Sequence, residues 1–405
     1  MAKRLLSLLL ISGIITACNN QANVDSDSLN KLNEYLQNSP DKILELNDKI
    51  SAEAAGKAVQ TIHSFLKEKA KIEFQSQWDS LTLTLNDKEL KFKYKKFGQK
   101  PEQGWSFYIS MHGGGNAPPE LNDQQWENQI NLYQPKEGIY LAPRAPTNTW
   151  NLWHEPHIDK FFSLLIQLMD AYEDINTNRV YLTGYSAGGD GTYQLAPRMA
   201  DQLAAAAMMA GHPNDASPMG LRNLPFAIHM GAEDAAYNRN KIASEWGETL
   251  DSLQNIDTEG YIHDVQIHEG MGHWMQRKDT VAIAWMAQFA RNPYPVKVVW
   301  KQSGVTRNRF YWLGVPKEDA LKNAEVIASV NGQTIFIEKA DMVNTLFIKL
   351  NDSFVDLDKK ITVIYNGKEL YHKIPTRNIA KIWQALSERN DPEQVFSAEI
   401  EVNLR

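Results

Sequence analysis

The period of the apolar positions changes along the chain. Ala55, Ala58, Val59, Ile62, Phe65 and Leu66 recur at helical spacing, and residues 29–75 read as a helical segment. Ser39-Pro40-Asp41 supplies a helix-start signal, with proline at the first helical position. Two alternating runs follow: Leu81, Leu83 and Leu85 share one face, and Leu90, Phe92 and Tyr94 share another. Asn86-Asp87 separates them as a turn, so the pair predicts a β-hairpin. Short apolar runs then alternate with helical stretches. Strands are expected at 105–111, 138–142, 179–183, 203–210, 224–230 and 262–268, and helices at 158–172, 187–200, 239–254 and 274–290. That alternation implies a doubly wound, mostly parallel sheet covered on both faces, an α/β class.

Arg291-Asn292-Pro293-Tyr294-Pro295 interrupts the pattern. Beyond it, short strands are expected at 296–300, 309–313, 325–330, 334–338, 344–350, 360–365 and 369–374, with one helix near 377–389. The chain therefore divides into an α/β domain over 76–292 and an all-β, sandwich-like domain over 293–405.

Charge and termini narrow the classes of function. The 405 residues carry a net charge of −7 and no long basic run, which argues against a nucleic-acid partner. Lys3 and Arg4 precede an apolar stretch from Leu5 to Ile15, too short to span a bilayer. Ile15-Thr16-Ala17-Cys18 resembles the lipobox of bacterial lipoproteins. The resemblance implies a signal peptide over 1–17 and lipid attachment at Cys18. It also implies a polar tether over 18–28 and export to the cell envelope, with the outer membrane as the expected location. Several acyl chains would hold the protein on a membrane. Cys18 is the sole cysteine, which excludes an internal disulfide, a cysteine nucleophile and a cysteine-ligated metal.

The chemistry centres on Gly184-Tyr185-Ser186-Ala187-Gly188, preceded by the strand-like Val180–Thr183. A G-x-S-x-G match arises by chance roughly 0.07 times in a chain of this length and composition, so its context decides. Here a strand leads in and a helix leads out, as the sharp turn that presents a nucleophilic serine requires. His112-Gly113-Gly114-Gly115 follows the strand 105–111. Glycines allow close backbone approach, so Gly113, Gly114 and Ala187 are candidate oxyanion-hole donors; His112 is expected to hold the loop. The run from Leu224 reaches a loop carrying Glu233 and Asp234, and Asp234 is the favoured orienting acid. His273 follows the last strand of the pattern in Glu269-Gly270-Met271-Gly272-His273-Trp274, and is the candidate base. The chain order Ser186, Asp234, His273 differs from both other common serine-triad orders.

With these pieces together, residues 105–290 resemble secreted α/β-hydrolase esterases of the polyhydroxybutyrate-depolymerase and feruloyl-esterase-like branch, related to prolyl-oligopeptidase-like hydrolases. The resemblance implies a carboxylic ester hydrolase that works through a Ser-His-Asp triad and an acyl-enzyme, without cofactor or metal. A serine peptidase or amidase with the same triad is one alternative, and a non-catalytic binding lipoprotein is another. Loops at the carboxyl ends of strands line sites in such sheets, so Trp150, Trp153 and Trp274 are candidate substrate-binding residues.

Overall fold

The computed structural model describes residues 21–405. The expected signal segment, Cys18 and the start of the tether lie outside the described residues. Residues 21–28, expected as tether, are helical: one helix, α1, covers 21–38. Side chains explain the difference. Gln21 Nε2 donates to Asp25 Oδ1 at 2.8 Å and to the Lys49 carbonyl at 3.0 Å, and Asp25 Oδ1 accepts from Ser51 N–H at 3.0 Å. Ser28, Leu32 and Leu36 are buried.

Ser39 does not cap a long helix; Pro40–Glu45 is a 3-10 turn, with no side-chain bond from Ser39. The long helix α2 (Ala52–Asp79) starts instead at Ser51, whose hydroxyl accepts from Ala54 N–H at 3.1 Å. The stripe through Ala55, Ala58 and Ile62 is buried.

An eight-stranded sheet follows: β1 (Thr82–Leu85), β2 (Lys88–Phe97), β3 (Trp105–Met111), β4 (Gly138–Arg144), β5 (Ile175–Tyr185), β6 (Ala205–Met209), β7 (Phe226–Gly231) and β8 (His263–His268). Its order is β1-β2-β4-β3-β5-β6-β7-β8. The hairpin β1–β2 and the β2–β4 pair are antiparallel, and every later pair is parallel. Asn86, at φ 55°, makes the hairpin turn. Central strands β3 to β7 are buried almost throughout, as a sheet covered on both faces requires. The covering helices are α3 (Pro119–Gln129), α4 (Pro156–Glu173), α5 (Ala187–Met199), α6 (Arg239–Ile256) and α7 (Val281–Met286). This strand order, with one antiparallel edge and parallel pairing through the rest, is that of an α/β-hydrolase sheet.

Two elements depart from the sequence pattern. Helix α3 was not expected, because it carries no apolar stripe; its buried residues are Asn122 and Gln129. The helix expected over 274–290 is reduced to α7, because Gln276 and Arg277 take φ of 52° and 63°, outside any right-handed helix.

Strands β9 (Lys297–Lys301), β10 (Arg309–Phe310), β11 (Leu313–Gly314), β12 (Glu325–Asn331), β13 (Thr334–Asp341), β14 (Thr345–Leu350), β15 (Ile361–Tyr365), β16 (Lys368–Lys373) and β17 (Ala398–Asn403) build the C-terminal domain. They form a four-stranded sheet β10-β11-β14-β17 and a five-stranded sheet β16-β15-β13-β12-β9. The run 309–313 divides into β10 and β11 because Tyr311 turns at φ 51°. Helix α8 (Ile379–Arg389) packs beside α2. No described helix is long and apolar enough to cross a membrane.

The two domains share buried charge. Arg389 donates to Asp201 Oδ2 at 2.5 Å, and Arg291 Nη1 lies 2.7 Å from Asp391 Oδ2. The Tyr311 hydroxyl donates to the Ala200 carbonyl at 3.0 Å. Arg377, fully buried, binds Asp352 and Asp358 and donates to the Ile50 carbonyl at 3.0 Å, tying the N-terminal segment to the C-terminal domain.

Candidate active site

Ser186 sits between β5 and α5 with φ 58° and ψ −119°, a conformation that costs energy for any residue but glycine. The turn is held from both sides. Ser186 N–H donates to the Met209 carbonyl at 2.9 Å, and a Cβ on Gly188 would collide with the Met111 carbonyl. The strain lifts Oγ clear of the sheet.

The loops after β7 and β8 deliver the acid and the imidazole. They are bonded to each other: Ala232 N–H donates to the His268 carbonyl at 3.0 Å, and Glu233 N–H to the Met271 carbonyl at 2.9 Å. Within this frame Asp234 is buried and Glu233 is exposed, which selects between the two acids. Asp234 Oδ2 lies 2.7 Å from His273 Nδ1, and His273 Nε2 lies 2.9 Å from Ser186 Oγ. Three residues separated by 87 positions in sequence thus form one hydrogen-bonded chain. With Nδ1–H donating to the carboxylate, Nε2 is free to accept the serine proton.

The glycine loop after β3 closes the other side. Gly113 packs on Ser186, and Gly114 and Gly115 take φ of 107° and 83°, a region open to glycine. Gly115 N–H donates to Asn122 Oδ1 at 2.8 Å, and the same side chain donates to the Ala117 carbonyl at 3.2 Å and to Asn148 at 3.0 Å. Helix α3 thus holds this loop through Asn122. Ala187 opens α5, so its N–H has no intrahelical acceptor. His112 is fully buried and does no work at the serine. Its Nδ1–H donates to the Gly113 carbonyl at 2.6 Å, Nε2 accepts from Ala145 N–H at 3.1 Å, and burial drives its pKa down to about 3.

A cavity of about 290 Å³ opens at Ser186, lined by Gly114, Gly115, Asn116, Trp150, Ala187, Asp190, His212, Asn214, Tyr237 and Arg239. Trp150 and Tyr237 stand exposed on its rim, 60% and 76% accessible. Asp190 Oδ1 accepts from His212 N–H at 2.6 Å, and burial raises its pKa to about 6. The Arg239 guanidinium stacks on Tyr237 at 4.8 Å and stands 3.9 Å from Asp234.

The three tryptophans separate. Trp150 lines the cavity. Trp274 is exposed but outside the cavity lining, its ring 5.7 Å from that of Tyr185. Trp153 is not a substrate residue: it is fully buried, and its indole N–H donates to the His112 carbonyl at 2.9 Å. Its neighbours in the loop gave no sign of which way it faces. Asp190, His212, Asn214, Tyr237 and Arg239 were not singled out in the sequence. The signal was their place after β5, β6 and β7, at the carboxyl end of a parallel sheet. No group of three or more His, Cys, Asp or Glu among the described residues is placed to hold a metal ion.

Comparison with known proteins returns a family model, a curated relative and several solved structures. Residues 131–302 match the model of the dienelactone hydrolase family, a span that includes Ser186, Asp234 and His273. A bifunctional acetylxylan esterase/xylanase of Neocallimastix patriciarum is 29% identical over 138 residues, 33% of this chain and 20% of that protein. The chain thus matches about a fifth of the length of this curated relative. Among solved structures, a thermostable esterase superposes with a TM-score of 0.41 at 18% identity, over 53% of this chain and 64% of that one. A ferulic acid esterase gives 0.36 at 16%, over 51% and 96%. Sheet order, the match over 131–302 and the loops that gather Ser186 assign residues 82–286 to the α/β-hydrolase fold.

Proposed function

We propose that the protein hydrolyses carboxylic esters at Ser186. The observation that carries this reading is the chain Asp234–His273–Ser186, at 2.7 and 2.9 Å, opening into a cavity beside Ala187 N–H and the glycine loop. Family and relative support it at the level of reaction class.

In the proposed cycle, His273 Nε2 takes the Ser186 proton as Oγ bonds to the ester carbonyl carbon. The carbonyl electrons move to oxygen, where Ala187 N–H and Gly113 or Gly114 N–H receive them. Collapse breaks the carbon–alkoxide bond, and the imidazolium returns its proton to the leaving alcohol. Water, deprotonated by the same imidazole, then attacks the acyl carbon. The acid leaves and Ser186 recovers its proton. Asp234, held in a dry loop, fixes the Nδ1–H tautomer throughout.

The substrate reading follows from the cavity walls. Asp190, Asn214, His212 and Arg239 offer donors and acceptors, and Trp150 and Tyr237 offer flat faces. This combination suits an acylated carbohydrate, in keeping with the acetylxylan esterase relative. Lipid attachment at Cys18 is part of the proposal, and metabolic labelling with a radioactive fatty acid, lost in Cys18→Ser, tests it.

The deciding experiment compares wild type and Ser186→Ala on chromogenic short-acyl esters and on a fluorophosphonate probe. Turnover and labelling should both vanish in the variant. Release of aminoacyl amides with no ester turnover would favour a peptidase. No labelling of Ser186 in the folded wild type would favour a binding protein.

A further inference from the structure

A second, larger cleft of about 610 Å³ lies away from Ser186, between α4 and the C-terminal domain. Its volume is that of a small-molecule site. The charged groups in its walls are Lys160, Arg307, Lys317, Arg389, Asp159 and Glu388. Both acids are ion-paired, Asp159 through both oxygens and Glu388 through one. Asp159 accepts from Arg198 Nε at 3.0 Å, Arg198 Nη2 at 2.6 Å and Arg307 Nη1 at 3.1 Å. Glu388 accepts from Arg309 Nη1 at 2.8 Å, and that guanidinium holds its pKa down to about 2.

The basic side is less satisfied. Arg389 is 94% buried and lines the cleft; Nη1 is bound to Asp201, while Nη2 is buried without an acceptor. Two neighbours of the walls repeat the pattern. Arg198, which holds Asp159, has Nη1 buried and unpaired. Gln202, whose Oε1 accepts from the wall residue Ser163 at 3.0 Å, has Nε2 buried and unpaired. A buried donor left unmade costs about 1–3 kcal/mol, so such groups are usually matched by a partner. Pro156 places the first turn of the 18-residue helix α4 at the same cleft, adding the positive end of its dipole.

We propose that this cleft binds a small molecule bearing a carboxylate or phosphate, gripped between the two domains. Arg307 supplies directed donors beyond the Nη1 spent on Asp159, Arg389 supplies buried positive charge behind them, and Lys160 and Lys317 supply charge at the mouth. The site is separate from the Ser186 cavity, and Pro156 directly follows the loop that carries Trp150.

Isothermal titration of Ser186→Ala with sodium phosphate and with sodium glucuronate, each against sodium chloride of equal ionic strength, tests this. The expected result is saturable one-site binding of at least one anion. It should weaken tenfold or more in Lys160→Gln/Lys317→Gln, whose two side chains are exposed and make no fold-bearing contact in the cleft. Which anion binds tells a phosphate source from a sugar acid. Heats no larger than those of chloride, or binding unchanged in the double variant, would overturn the proposal. Either result leaves the reading of Ser186 untouched.

Discussion

Tyr185 anchors His273 through the backbone: its hydroxyl donates to the His273 carbonyl at 2.7 Å and accepts from Met275 N–H at 3.1 Å. One phenol thus spans the loop that presents the imidazole, from the residue next to the nucleophile. Tyr185→Phe keeps the ring packing and removes both bonds. At about 1 kcal/mol of loop-holding energy, kcat should fall roughly 5–10-fold. KM should stay near the wild-type value, because the phenol lines no part of the cavity. A raised KM at constant kcat would show that Tyr185 acts on substrate instead.

Trp150 and Trp153 should respond in opposite ways to alanine. Trp153 fills space under the glycine loop and holds His112, so Trp153→Ala should cost about 3–5 kcal/mol of stability, read from urea midpoints. Trp150 projects from the rim of the cavity. Trp150→Ala should leave the midpoint within about 0.5 kcal/mol and raise KM for acylated sugars. Equal KM on sugar and simple acyl esters in both proteins would remove Trp150 from substrate binding.

Much of this site was legible because each part is local. A strand, a glycine-rich or acidic loop and a helix can each be read from ten residues, and Ser186, Asp234 and His273 follow their strands in chain order. What was not legible depends on direction or on distant partners. Trp150 and Trp153 sit three apart in one loop, and nothing local says that one faces solvent and the other the core. Helix α3 carries Leu121 and Trp126 but no apolar stripe, so periodicity missed it; Asn122, one of its two buried residues, matters for a contact with Gly115 that only the fold creates. Residues 21–28 read as tether because their apolar content is low, yet Gln21 and Asp25 find partners at 49–51. Arg239 belongs to the cavity because β7 lies two strands from β5, a fact of sheet order.

Acid should destabilise the protein through two buried histidines. Burial holds His112 and His229 neutral, each with its pKa lowered to about 3. Unfolded histidine titrates near 6.5, so between pH 6.5 and 3 the unfolded chain takes up protons that the folded chain refuses. Their contribution is full above pH 6.5 and is lost as pH falls toward 3. Urea midpoints should therefore drop from pH 7 to pH 5, and the drop should be shallower in His229→Gln. An unchanged slope in that variant would mean that His229 titrates normally in the fold.

Asp190 works in the opposite sense. Its folded pKa of about 6 lies above the unfolded 3.8, so the folded carboxyl keeps a proton that the unfolded one has released. The stabilising contribution is present below pH 3.8 and is lost as pH rises through 6. Asp190→Asn retains an acceptor for His212 N–H and removes the charge. The variant should melt above wild type at pH 7, and the gap should close toward pH 4, as scanning fluorimetry across that range would show. A gap of constant size would mean that the carboxylate is not confined by burial.

Arg389 and Asp201 join the C-terminal domain to the α/β sheet through a buried ion pair. Asp201 is fully buried, and Arg389 comes from the last turn of α8, 188 residues away. Removing one partner strands the other charge in the interior, so Arg389→Ala should cost about 3–5 kcal/mol. Replacing both, in Arg389→Met/Asp201→Leu, leaves no orphaned charge and should recover most of that loss. Deletion of 293–405 strands Asp201 in the same way and also bares Tyr311's partner, the Ala200 carbonyl. The truncated chain should be insoluble or unfolded by circular dichroism, with no ester turnover. A truncated protein that folds and turns over esters at wild-type rate would mean that the buried pair joins two units each stable alone.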